Sequence, residues 1–386
     1  MAVFSYASHH KIPPESYDLC ILDECHYLKG TEAARTRAIL GPNGLLHRVK
    51  DRIWAISGTP APNHAGELWT LSYTLGFTKM KYDQWLSEFC NVRTIRLPGR
   101  TVHQISGTKV SAIPKLREIL KPHMLRLLKK DVMKQLPPIT YETVLVNPCE
   151  VELENDIVFI NYVTPTDRRA ALFKKLEEEA AALKLFLGNA GTGAVGMRGM
   201  AAIQIAVGTL RRYTGMQKIK AVLELVRSEL KNNEYEKVVL FAIHQGVIKE
   251  LMEGLREYGA VTLYGRTPVE KRQRHIENFQ KNPRCRVFIG NVHAAGSAIT
   301  LTAAHNVIFV EQDWVPGINA QAAMRCHRIG QTKPVTVRFI ALADSLDERI
   351  TAALRAKTAQ LTKIFDEPDT AEKPLPEPKD AIDTPC

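Results

Sequence analysis

A chain of 386 residues is long enough for two domains with proper hydrophobic cores. Its content, 45% hydrophobic and 24% charged, is that of a soluble globular protein, and no apolar run reaches membrane-spanning length. The N-terminal MAVFSYASHHKIPPESYD lacks the charged-then-apolar layout of a secretory signal, and the seven cysteines, odd in number and without a C-x-x-C pair, read as reduced thiols inside a cell.

The net charge of +11 is uneven. The tail 366–386 carries seven acids and two lysines, a net −5, which leaves +16 on residues 1–365. A basic body with an acidic tail suits a polyanionic partner, nucleic acid first, although many basic proteins have no such partner. With five prolines in 21 residues, the tail is expected to be disordered.

Along the chain, β-branched runs alternate with amphipathic stretches in two regions. The first has VFSY (3–6), LCIL (19–22) and RIWAIS (52–57), with TEAARTRAILGPNGLLHRV offering a helix and a turn before the last strand. The second runs KVVLFAIH, a helix from 246, AVTLYG, the helix PVEKRQRHIENFQ, CRVFIGN, NVIFVEQ, a helix from 317 and VTVRFIAL. Continuous apolar strands separated by helices indicate parallel sheets covered on both faces, hence doubly wound α/β lobes. A last helix follows, with Ser345 and Glu348 spaced as a capping box. Between the regions, GELWTLSYTLGF, LREILKPHMLRLLKKDVMKQL and RRAALFKKLEEEAAALKLFLG have helical periodicity, and Pro137–Pro138 stops one of these helices.

Asp23 and Glu24 stand together at the carboxyl end of LCIL, where α/β sheets bind ligands. Alone they are a weak signal, since an acidic pair after a strand is often a polar loop. ISGTPAPN (56–63) ends the next strand and brings Ser57 and Thr59 beside the pair; its bland reading is a tight turn. QAAMRCHRIGQ (321–331) spaces Gln321, Arg325 and Arg328 on one helical face. Such a stripe is usually solvated, but a guanidinium can also stabilise a transferring phosphoryl group.

Together, DECH, SGTPAPN, AAGSAITLTAAHNVIFVEQDWVPG and QAAMRCHRIGQ resemble motifs II, III, V and VI of the Swi/Snf-type ATPases of helicase superfamily two. LKPHMLRLLKKDVMKQLPP (120–138) resembles the signature before that family's linker, and RRYTGMQKIKAVLELV the entry to its second lobe. The resemblance covers roughly 1–345, and TGMQKIKAV leans toward the annealing-helicase branch or its bacterial and phage relatives. It implies two RecA-like lobes: a partial first lobe with a helical insertion over 1–140, a helical linker over 141–215, a second lobe over 216–365, then the tail 366–386. It implies ATP and Mg²⁺ as cofactors and double-stranded DNA as partner. Asp23 would position the Mg²⁺ through water, and Glu24 would polarise the attacking water. His26, Ser57, Gly58, Thr59, Gly296 and Gln321 would couple nucleotide state to DNA contact. Thr300, Thr302 and His244 would lie on the DNA side, and Arg325 and Arg328 would act as arginine fingers.

One departure is serious. No G-x-x-x-x-G-K-[ST] phosphate loop occurs in the sequence. GNAGTGAVGMRG (188–199) has the glycine spacing, but Met197 and Arg198 stand where Lys and Ser or Thr are required, and it follows a helix rather than a strand. The chain is therefore expected to begin just before motif II. The sequence then reads as the motor portion of an ATP-dependent double-stranded-DNA translocase, its phosphate loop supplied by missing N-terminal material or a second polypeptide. Working inside the cell, it would occupy cytoplasm or nucleoid in a bacterium or virus and the nucleus in a eukaryote. The alternative is a catalytically inactive DNA- or partner-binding module. The first lobe would then have a partial sheet with an uncovered apolar face.

Overall fold

The structure is a computed structural model that describes residues 2–97, 100–127, 129–147, 208, 211–295, 299–343 and 345–365. These form two compact units, the first built mainly from residues before 128 and the second mainly from 128–355. The linker segment RRAALFKKLEEEAAALKLFLG, the glycine-rich 188–199, Gly296 and the acidic tail lie outside the described residues.

In the first unit, β1 (Tyr17–Leu22) and β2 (Val49–Ala55) pair in parallel around helix α1 (Ala34–Leu40), the crossover that their spacing predicts. Cys20 aligns with Ile53 and Ile21 with Trp54, so alternation separates the side chains cleanly by face. Cys20, Leu22 and Ile53 pack against Leu28, Ile39, Leu40, Leu46 and Leu71. On the opposite face Leu19, Ile21, Trp54 and Ile56 are 44%, 51%, 51% and 48% exposed. This two-stranded sheet therefore has one buried face and one open apolar face.

VFSY, read as a strand, is not one. Tyr6–Lys11 forms a 3₁₀ helix whose entry is capped by Ser5, with Oγ accepting the Ser8 N–H at 3.2 Å. The helical stretch after motif III also differs in part. Helices α2 (Trp69–Thr74), α3 (Tyr82–Phe89) and α4 (Ile113–Leu120) are present, but β3 (Cys90–Leu97) and β4 (Arg100–Thr108) make an antiparallel hairpin between α3 and α4. Its alternating β-branched residues around a Pro-Gly pair are a hairpin pattern that helical periodicity nearby obscured. Trp85, Leu86 and Phe89 of α3 and Leu116 and Leu120 of α4 form the core beneath it.

The second unit is a six-stranded, all-parallel sheet in the order β5-β10-β9-β6-β8-β7. Its strands are β5 (Ile139–Val146), β6 (Val238–Ala242), β7 (Val261–Leu263), β8 (Val287–Asn291), β9 (Asn306–Phe309) and β10 (Val335–Leu342). Residues 139–146, read as the end of the first lobe and the start of the linker, are its edge strand instead. They pair with β10 over all eight positions, which satisfies backbone groups a linker would leave to water. Val238, Leu240 and Ala242 face a core shared with helices α5 (Ile219–Lys231) and α6 (Gln245–Gly254). Val239 and Phe241 face the opposite core, with Phe279 of α7 (Val269–Lys281) and Ala322 of α8 (Pro316–Ala323). Helices thus cover both faces, the doubly wound arrangement expected. Ser345 caps the final helix α9 (Leu346–Phe365), its Oγ accepting the Asp347 N–H at 3.1 Å.

Buried polar groups pin this sheet to its helices. Lys218, 1% exposed, gives its ammonium to Asp347 at 2.6 Å and to the Ile340 carbonyl at 3.1 Å. Arg338 holds Glu229 through both guanidinium nitrogens, and Tyr235 donates to the same carboxylate at 2.7 Å. A sheet covered on both faces opens only with the whole unit, whereas a half-covered pair of strands opens locally. Amide hydrogen exchange on the whole chain should show 20–22 and 53–55 exchanging well before 238–242 and 287–291. Equal protection in the monomer would show that the open face is closed in solution.

Candidate functional site

The acidic pair sits on the turn that leaves β1. Glu24 has φ 47° and ψ 49°, left-handed backbone that a non-glycine residue adopts at a cost of about 1–2 kcal/mol. The turn is held from several sides. The Asp23 carboxylate accepts the Glu24 N–H at 3.0 Å, the Tyr6 hydroxyl donates to the Asp23 carbonyl at 2.7 Å, and the Cys25 N–H donates to the Ile56 carbonyl at 3.0 Å. Cys25 is buried, and desolvation followed by the Glu24 charge pushes its thiol up to about 11, so it is no nucleophile at neutral pH.

His26 joins this turn to the next motif. Its Nδ1 lies 3.0 Å from Ser57 Oγ, and Ser57 Oγ accepts the Thr59 N–H at 3.1 Å. Glu24 Oε2 is 3.2 Å from the same Nδ1 but outside hydrogen-bonding geometry, so this buried oxygen has no hydrogen-bond partner among the described residues. Asp23 is exposed, and Gly58 lies where an added Cβ would meet nothing within 4 Å. Asp23, Glu24, His26, Ser57, Gly58 and Thr59 are therefore brought together as the sequence expects. A second link was not read from the sequence: Lys29 pairs with buried Glu67 at 2.6 Å, and Glu67 also accepts the Asn63 N–H at 2.8 Å. The cue was a buried-position acid in GELW, which amphipathic spacing alone did not single out.

The arginine-bearing loop of the second unit differs from expectation. Helix α8 ends at Ala323, so Gln321, Arg325 and Arg328 do not share a continuous helical face. The chain leaves the helix through turns, where the Arg325 carbonyl accepts the Leu301 N–H at 2.8 Å. Exposed Arg328 approaches the Ile299 carbonyl and Thr300 Oγ, each at 3.4 Å. Thr302 Oγ accepts from Gln280 at 3.2 Å. Gln331, given no role by sequence reading, is the clamp between the two loops. It is 6% exposed, and its amide donates to the carbonyls of Thr302, Ala304 and Cys326 at 3.2, 2.8 and 3.1 Å. Its oxygen accepts the N–H groups of Thr332 and Lys333, both at 3.0 Å. Gly330, at φ +98°, supplies the turn that brings Gln331 in.

His244 was read as a DNA contact. Its Nδ1 lies 2.6 Å from Glu311 Oε1, and Glu311 Oε2 accepts the N–H groups of His244 and Ile243 at 2.9 and 2.8 Å. Burial raises the Glu311 pKa, but the His244 hydrogen bond and charge and the two backbone donors outweigh it and hold the group below its ordinary value. Gly215 packs so close that an added Cβ would lie 2.4 Å from Glu311 Oε1. His244 is thus committed through one nitrogen to a buried carboxylate.

Metal and nucleotide can be tested against these residues. Among the described residues no three His, Cys, Asp or Glu side chains converge as a metal cage. An exposed Asp23 beside a Glu24 oxygen without a partner fits a cation held through water, which needs no cage. The phosphate end does not fit, because the 386 residues contain no loop of the required glycine-lysine pattern.

The sequence matches two family models: SNF2-related domain over 5–171 and helicase conserved C-terminal domain over 217–330. It is 27% identical over 353 residues to mouse "DNA annealing helicase and endonuclease ZRANB3", covering 90% of this chain and 30% of that protein. It is 28% identical over 357 residues to the Drosophila melanogaster SWI/SNF-related matrix-associated actin-dependent regulator of chromatin subfamily A-like protein 1, covering 92% of this chain and 42% of that one. The chain thus spans under half the length of either relative. A solved structure, the Sulfolobus solfataricus SWI2/SNF2 ATPase core in complex with dsDNA, aligns at 21% identity with a TM-score of 0.43, covering 93% of this chain and 72% of that one. An SNF2-related domain followed by a helicase C-terminal domain is the make-up of a helicase-like, ATP-dependent DNA remodeller. The chain belongs to the SNF2 family of such proteins.

Two outcomes test this geometry. Gln331→Ala removes the donor for three buried carbonyls and should destabilise the second unit by on the order of 2–3 kcal/mol in urea titration; a loss below half of that would remove its role as clamp. The second concerns pH. Desolvation lowers the His26 pKa below 6.5, against the opposing Glu24 charge, so the folded chain binds the proton less readily than the unfolded one. This stability is present above the unfolded value and is lost as pH falls through it toward the folded value. The first unit should therefore weaken between about pH 7 and about 5.5, and His26→Gln should flatten that slope.

Proposed function

We propose that the chain is the motor portion of an ATP-dependent translocase on double-stranded DNA, whose nucleotide site is completed by a phosphate-binding segment outside these 386 residues. The observation that carries this reading is the strained, multiply held turn that keeps Asp23 and Glu24 next to His26 and Ser57. A binding module has no chemical need for it. The open face of Leu19, Ile21, Trp54 and Ile56 adds support, because a parallel sheet needs cover on both faces, and a strand and helix bearing the phosphate loop would provide it. When bound, Mg²⁺ would neutralise phosphate charge; Asp23 is the carboxylate offered to it, and Glu24 the base offered to a water. Arg328 is the proposed finger, Gln321, Arg325 and Thr300 its neighbours in role, and Thr302 part of the DNA side. Gly296 retains only its proposed role by resemblance.

The rival is a DNA- or partner-binding module without hydrolysis, in which the same open face is simply a docking surface. One experiment separates them. The 386-residue chain alone should show no duplex-stimulated ATP hydrolysis, and a phosphate-loop segment from an SNF2 relative, fused or added, should restore it. In the restored protein Glu24→Gln should abolish turnover. Arg328→Ala should cut turnover by about 10³–10⁵ with duplex affinity nearly unchanged, since a finger acts on charge that develops in the transition state. Turnover by the chain alone, abolished by Glu24→Gln, would falsify the missing-cradle argument. No restored turnover, with intact duplex binding, would favour the module.

A further inference from the structure

A cavity of about 250 Å³ opens at the free edge of the second sheet, beside β7. It is lined by Thr262, Tyr264, Thr267, Pro268, Lys271, Arg274 and His275. Strand β7 pairs with β8 alone, so this wall is a sheet edge. None of the lining residues belongs to the stretches that carry the family resemblance.

The cavity is held in shape by its own backbone. Tyr264 and Thr267 close the loop on each other: the Thr267 N–H donates to the Tyr264 carbonyl at 2.9 Å, and Thr267 Oγ accepts the Tyr264 N–H at 3.1 Å. Arg272 pins that loop from α7, its guanidinium donating to the carbonyls of Thr267 and Gly265, both at 2.8 Å. His275 Nδ1 meets the Thr262 carbonyl at 2.7 Å, which fixes the ring against the strand. One arginine of the cluster is thus spent on structure.

The other two cations are not. Lys271 and Arg274 are exposed, and neither forms an ion pair among the described residues. Spacing on α7 keeps acids off this side: Glu270, Gln273 and Glu277 share one stripe, and Lys271, Arg274 and His275 the next. No carboxylate lines the cavity. Two unpaired cations, two threonine hydroxyls and a phenol in a pre-shaped pocket are donors for a tetrahedral anion. The volume is below that of a pocket for a drug-sized ligand, and the lining offers one aromatic ring and no apolar slot for a base. A single phosphate group fits this chemistry better than a whole nucleotide.

We infer that this cavity binds a backbone phosphate of duplex DNA, a contact separate from the motif loops. The inference rests on the DNA reading above, and the +16 on residues 1–365 favours a polyanion over an acidic peptide. Duplex binding by the full chain, measured against salt, tests it. The double variant Lys271→Gln/Arg274→Gln should bind several-fold more weakly, with the slope of log K on log salt reduced by about 1–2. The control Lys231→Gln/Lys249→Gln removes equal charge from exposed sites away from the cavity and should change the slope less. Circular dichroism should show both variants folded, as all four side chains are exposed. Equal slopes for variant, control and wild type overturn the inference while leaving DNA binding intact. No duplex binding by the wild type overturns the DNA reading and this contact with it. Thermal stabilisation of the wild type but not the variant by inorganic phosphate, with equal duplex affinity, assigns the cavity to a free anion and overturns the DNA contact.

Discussion

A parallel β-sheet has to be covered on both faces, because its crossovers run over the faces and its strands are apolar on each side. The second unit meets this condition. Its six strands alternate between two cores, one filled by α5 and α6 and the other by α7 and α8. The first unit meets it on one side only, where Cys20, Leu22 and Ile53 are buried and Leu19, Ile21, Trp54 and Ile56 face water. The difference decides where rigid loops can be built. Motif loops of the second unit stand on strands that cannot move separately, whereas the acidic turn of the first stands on two strands and needs extra ties.

Those ties are single polar side chains that satisfy several backbone groups at once. Gln331 serves three carbonyls and two N–H groups, and Glu311 serves two N–H groups and a histidine. His26 reaches Ser57, which in turn accepts the Thr59 N–H. Loops at strand ends carry unpaired backbone groups, and burying them without partners costs about 1–3 kcal/mol each. One well-placed amide or carboxylate removes several of these costs together. It also makes the loops it joins dependent on one another.

Most of the second unit was legible in the sequence because its strands are continuous apolar runs and its helices strongly amphipathic. VTVRFIAL is β10 residue for residue, and PVEKRQRHIENFQ is α7 within a residue. Strand β5 was not legible, since ITYETVLV follows a proline pair and precedes a long polar stretch, and only pairing with β10 reveals it. The hairpin of β3 and β4 was masked by helical neighbours. At the site, contact between DECH and SGTPAPN was foreseeable because both end adjacent strands. The helical stripe of Gln321, Arg325 and Arg328 failed because a tertiary bond from Leu301 competes for the Arg325 carbonyl that a helix would need. Periodicity cannot register such a competitor.

Glu24 bears on how this protein changes under selection. A left-handed glutamate is a conformation that the fold by itself would give to glycine or asparagine. Relaxation of the turn and retention of the carboxylate are opposed at this one codon. In a library screened only for thermal tolerance, position 24 is where glycine and asparagine should accumulate, and their spread would erode chemistry while strengthening the molecule. Drift away from glutamate thus becomes a clock for lost catalysis, readable in any set of descendants without an assay.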